Sequence, residues 1–215
     1  MAYIDCHWLT FARFALIAMS MLAVSSHAAD LRWFATTPIV IAQATTAPSA
    51  DKIRAQAQRM KEYRALLADP DSNVRLAALD EMLKSGEPAL RELAFEAGFA
   101  SADQNMRALT LRTRIISMKS FILELQNVEK LEDERWRRVI QHFGGPARSY
   151  AITKVDAQTG NIDIPYCPNG RVAGQEFSFS CSNASTVRLR LADGAVMTGS
   201  LSYGGATVAV TLTLQ

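Results

Sequence analysis

The stretch Asp71-Ser-Asn-Val-Arg-Leu-Ala-Ala-Leu79 lies over Asp103-Gln-Asn-Met-Arg-Ala-Leu-Thr-Leu111 at an offset of 32 residues. The same offset puts Ser85 over Ser117 and Glu92-Leu93 over Glu124-Leu125. Seven of the 23 pairs from 71/103 to 93/125 are identical, and Val74/Met106, Leu83/Ile115 and Leu90/Ile122 exchange one large apolar residue for another. A fixed period of tens of residues marks stacked units, each too small to bury its own apolar face.

Local signals around the repeat are helical. Ser49 or Asp51 caps a first helix carrying Ile53, Met60, Tyr63, Leu66 and Leu67, largely at three- and four-residue spacing. Asp69-Pro70-Asp71 ends it, because proline disfavours the helical conformation in the residue before it. A second helix is expected from about Ser72 to Lys84, with Val74, Ala77, Ala78 and Met82 on one stripe and Gly86 just beyond. Pro88 opens a third helix, where its missing N–H costs nothing. Ser101 and Asp103 cap a fourth, with Met106, Leu109, Thr110 and Leu111.

Leu66-Leu67-Ala68-Asp69-Pro70-Asp71-Ser72-Asn73-Val74-Arg75-Leu76-Ala77-Ala78-Leu79 resembles the HEAT repeat. In that repeat a leucine-rich helix ends at Asp-Pro, and its partner opens with an acidic or amide residue, then Val and Arg. The resemblance covers about residues 52–125. It implies a stack of helical hairpins in which Asp71, Asp103, Arg75 and Arg107 brace neighbouring units, and it implies no activity. This chain departs from the family in number, with fewer than three clear units, so something must cap the stack.

Ser120 to Phe143 is the expected cap. Phe121, Leu125, Val128, Leu131, Val139, Ile140 and Phe143 have partial helical periodicity, read as one long helix or two short ones ending at Gly144-Gly145-Pro146. From Tyr150 the apolar period becomes two. Residues 151–155, 162–166, 176–180, 186–191, 196–203 and 207–214 read as strands, with turns at Gln158–Asn161, Asp193-Gly194 and Gly204-Gly205. Pro165 assigns its strand to an edge. Five or six short antiparallel strands make a small sheet or partly closed barrel. The expected fold class is therefore α+β: a HEAT-like hairpin array over 51–146, followed by a disulfide-stapled antiparallel β domain over 147–215.

The N-terminus reads as a targeting segment. Phe14 to Val24 is an apolar run preceded by Arg13 and followed by Ser26-His27-Ala28, which fits a signal peptide over 1–28 and a linker over 29–50. Ala42-Gln43-Ala44 offers an alternative cleavage after 44. The expectation is a periplasmic or secreted protein with no stable membrane span after cleavage, an uncleaved N-terminal anchor being the alternative. Beyond Cys6 the chain keeps Cys167 and Cys181; an even pair in an exported chain predicts a disulfide, with two buried free thiols as the rival reading.

Charge excludes one class of partner. The net charge is +2, with 16 basic against 15 acidic residues over 49–146 and 5 against 4 over 147–215, so neither half attracts nucleic acid. No pattern asks for a metal or cofactor. His142, near a helix end, suits the carbonyl pole of the helix dipole better than catalysis. Glu129, Glu132, Asp133 and Glu134 supply paired carboxylates but alternate with arginines, as a solvated face does. Gly199-Ser-Leu-Ser-Tyr-Gly204 fits a strand, not a nucleophile elbow.

Three function classes follow. The first is an exported interaction protein, without catalytic activity, binding another envelope protein through the helical array. Asp80, Arg112 and Arg114 are its candidate contacts, being polar without a packing reason. The second is a binding module for a small ligand or envelope component, acting through the β domain. The third is a hydrolase with a carboxylate site.

Overall fold

The computed structural model describes residues 49–127 and 134–214, with the backbone alone at 135 and 136. The expected signal and cleavage positions, nearly all of the linker, and Glu129, Glu132 and Asp133 lie outside the described residues.

Four helices come first: α1 (Ala50–Leu67), α2 (Ser72–Lys84), α3 (Pro88–Ala100) and α4 (Gln104–Ser117). Ser49 caps α1, Asp71 caps α2 through the Asn73 amide, and Asp103 caps α4 through the amides of Asn105 and Met106. Pro88 stands in the first turn of α3. α2 and α4 touch one another, with α3 packed on both and α1 packed on α2. Leu79, Met82, Phe95, Phe99, Leu111 and Ile115 form their shared core.

Two details fix the packing. Gly98 of α3 lies against Thr110 of α4, where a methyl group on Gly98 would meet Thr110 Oγ1 at 1.9 Å. Arg75 donates to the Asp69 carbonyl at 2.8 Å and the Pro70 carbonyl at 3.0 Å, and meets the Asp103 carboxylate at 3.2 Å. The first turn is thereby tied to the start of α4.

Residues 120–125 differ from the helical expectation: they form strand β1 (Ser120–Leu125). Phe121, Leu123 and Leu125 alternate as buried residues with exposed neighbours, and the strand pairs on both sides, with β2 (Ala147–Ala151) and β9 (Ala206–Thr213). The 32-residue correspondence is thus structural only through α2 and α4, since Leu93 is helical and Leu125 lies in a strand. A helix, α5 (Glu134–Phe143), precedes β2.

The remaining strands are β3 (Lys154–Val155), β4 (Asn161–Ile164), β5 (Cys167–Ala173), β6 (Glu176–Ser180), β7 (Thr186–Leu191) and β8 (Val196–Tyr203). All pairings are antiparallel, in the order β2-β1-β9-β8-β7-β6-β5-β4-β3. The two outermost strands are nearly continuous in the chain. The Ile152 amide donates to Lys119 at 2.8 Å, and the Thr153 amide donates to Asp163 at 2.9 Å. The stretch 147–155 therefore serves β1 with its first half and β4 with its second, and the curled sheet meets itself.

Ring contacts give the same curvature. Phe121 on β1 and Phe177 on β6 have ring centroids 5.4 Å apart. They are four strands apart in the ladder, which a flat sheet would hold at about 19 Å. Tyr150 and Phe179 complete the aromatic centre. Burial pushes the Tyr150 hydroxyl above the ordinary phenol range, against a smaller pull from Arg148.

The disulfide joins Cys167 and Cys181, at the open end of the β5–β6 hairpin. Pro165 is not on an edge strand: β4 pairs with both β3 and β5, and Pro165 lies beyond it in the turn. β5 has a poor strand pattern because a register shift falls between its pairings to Ile162 and Ile164, opposite Pro168 and Asn169. At Gly170 the β4 backbone comes so close that a Cβ would stand 2.4 Å from the Ile162 carbonyl oxygen.

Candidate functional site

α4 is the seam between the helices and the sheet, and three arginines hold it. Arg107 donates to the Phe99 carbonyl at 2.8 Å, to Gln175 at 3.1 Å and to the Ala192 carbonyl. Arg112 donates to the carbonyls of Ala157 and Gln158 in the β3–β4 loop. Arg114 donates to the Leu214 carbonyl at 3.0 Å, with its guanidinium 4.8 Å from the Phe95 ring centre. Charge-assisted bonds to backbone carbonyls are strong and directional. They give Arg112 and Arg114 the structural reason that the sequence alone did not show.

The structure therefore places the three candidate contacts apart. Arg112 and Arg114 reach into the seam, whereas Asp80 sits on α2 and pairs with Lys84 one turn away. His142 lies in the last turn of α5 and stacks on Tyr203, with ring centroids 4.3 Å apart. Among the described carboxylates of the acidic run, Glu134 is exposed.

Among the described residues, α1 has no such cover. None of the 18 residues of α1 is buried. Ile53 is 54% exposed and Leu66 40% exposed, while Met60, Tyr63 and Leu67 pack only partly against the core. Lys52, Arg54, Arg59, Lys61 and Arg64 outnumber Asp51 and Glu62, so α1 carries a net charge of +3. Beside it runs a groove of about 670 Å³, lined by Met60, Leu93, Phe95 and Phe99 and reaching Arg114 and Leu214 of the seam. The spacing of the apolar residues of α1 marks a helix without showing what covers it. Their exposure follows from the absence of a neighbouring hairpin among the described residues.

The α2–α4 brace titrates. The Asn105 amide foremost, with the Met106 amide and Arg75, holds the Asp103 carboxyl below the ordinary carboxylate range, against an opposing push from burial. A depressed folded pKa contributes stability that is full above the unfolded value of about 4 and is lost as pH falls through the folded value. Asp103→Ala is accordingly expected to lower Tm at pH 7, with the difference from wild type shrinking on acidification below about pH 4. Thermal melts at a series of pH values check this; a difference independent of pH contradicts it.

Among the described residues, no group of three His, Cys, Asp or Glu side chains has metal-holding geometry, and no helix is long and apolar enough to cross a membrane. No family model, curated protein or solved structure matches this chain.

Proposed function

We propose that this protein is an exported, non-catalytic adaptor whose HEAT-like helical stack binds an acidic segment of another envelope protein at its open end. One observation carries the reading: α1 is a basic helix without a single buried side chain, packed on α2. Stacked helical units bury their faces against neighbours. The sheet serves one end of this stack through α4, and the partner supplies the missing neighbour at the other.

The charge of α1 selects an acidic partner and disfavours a second copy of the same helix. Arg75, bonded to the first turn and to Asp103, supports the family resemblance, in which that arginine braces adjacent units. Asp80 on α2 stands as a further proposed contact. The disulfide supports an oxidising compartment, where such bonds persist.

A photo-crosslinking residue at position 53 or 66, in cells making the full chain, is expected to give a discrete adduct. One at Arg190, on an exposed position of β7, should not. Lys61→Glu with Arg64→Glu should weaken the adduct, and purified complexes should loosen as salt rises. The same adducts from all three positions, or none from 53 and 66, would refute the reading.

A further inference from the structure

The β4–β5 hairpin turns through Pro165 and Tyr166, with Ile164 paired to Cys167 across it. Tyr166 has φ of 64°, in the left-handed region that glycine and asparagine enter readily and bulky residues do not. Its ring gains nothing from packing, being 84% exposed. The turn is nevertheless held firmly. The Ser182 amide donates to the Tyr166 carbonyl at 2.8 Å, the Ser182 hydroxyl donates to it at 3.2 Å, and the next residue is the disulfide's Cys167. Backbone strain kept with no gain in packing points to a function for the side chain.

Tyr166 borders a cleft of about 440 Å³ whose lining also includes Arg148, Ser182, Asn183 and His142. Its volume suits one or two sugar rings. Asn183 is oriented by its neighbours: its Oδ1 accepts from the Ser185 amide at 3.0 Å and from the Ser185 hydroxyl at 2.7 Å. Its Nδ2 is therefore the donor towards His142 Nε2. Arg148 lies over the Tyr150 ring, 5.4 Å from its centre. His142 also borders an adjoining cleft of about 410 Å³, where Arg138 and the stacked Tyr203 stand. No acidic residue is among the described residues lining either cleft.

We propose that this cleft is a binding site for an acidic saccharide. The apolar face of the sugar lies on the Tyr166 ring, its hydroxyls exchange hydrogen bonds with Asn183 and Ser182, and its carboxylate meets Arg148. An exposed aromatic face beside amide and hydroxyl groups suits a pyranose, whose ring is apolar on its faces and polar around its rim. A guanidinium with no acid among the described residues of the cleft adds preference for the charged sugar.

The test titrates glucuronate, glucose and inorganic phosphate into the full chain by ligand-observed NMR. Glucuronate is expected to bind about tenfold more tightly than either glucose or phosphate. Tyr166→Gly should leave Tm unchanged or raised, because glycine accepts the turn, yet weaken glucuronate about tenfold. Arg148→Gln should bring glucuronate down to the level of glucose. Failure to bind either sugar would overturn the proposal, as would phosphate binding as tightly as glucuronate. Unchanged glucuronate affinity in Tyr166→Gly would also overturn it.

Discussion

Replacing Phe121 with alanine is expected to lower the free energy of unfolding by about 3–5 kcal/mol, the range for deleting a buried phenyl ring. Ile122→Ala, one residue on, should stay within about 0.5 kcal/mol. The contrast follows from strand alternation. Phe121 is 3% exposed and contacts the rings of Tyr150, Phe177 and Phe179, at 5.3, 5.4 and 5.7 Å. Ile122 points outward and is 55% exposed. Phe121 also touches both halves of the sheet, so its loss opens a cavity where β1 faces β6. Urea unfolding of both variants decides the matter, provided the denaturant slope is unchanged. Equal losses at 121 and 122 would contradict a strand here.

Removing the disulfide should have the next largest effect. Cys167 and Cys181 close a loop over a sequence separation of 14, and a loop of about 15 residues confers about 3 kcal/mol by restricting the unfolded chain. For a chain of this size that corresponds to a Tm loss of roughly 6–12 °C. The double alanine variant is preferable to serine, because Cys167 is buried and a hydroxyl there would need a partner. Calorimetry of the oxidised, reduced and double-alanine forms should show the last two melting together, below the first. A reduced form that melts with the oxidised one would contradict the stabilising role.

Local signals made much of the fold legible. Asp69-Pro70-Asp71 and Lys84 bracket α2 because proline geometry and Asp capping act within one turn. The alternation over 186–191 and 207–213 marks β7 and β9 for the same reason. β1 escaped because Phe121 and Leu125 are also four apart, as on a helix. Its strand state comes from pairing with β2 on one side and with Thr211 and Val210 of β9, far away in the chain, on the other. β5 escaped because Pro168, Asn169 and Gly170 spell a turn, and the irregular register that accommodates them depends on β4.

The site residues were less legible. Arg112 and Arg114 look unexplained in sequence because their acceptors are backbone carbonyls, and every residue type carries one. Tyr166 looks like one more strand aromatic until its backbone angle and exposure are known. In both cases the deciding fact is a three-dimensional neighbour, or its absence, at long sequence separation.

Hydrogen exchange on the full chain, read peptide by peptide, tests the open end of the helical stack most directly. With no buried side chain on α1 and β8 and β9 in the core of the sheet, amides of residues 54–67 should exchange at least about 100-fold faster than those of 197–203 and 207–213. The amides of α4, fastened by Arg107, Arg112 and Arg114, should fall with the sheet. Protection of α1 equal to that of α4 in the isolated protein would mean that its face is already covered, and would contradict a vacant partner surface there.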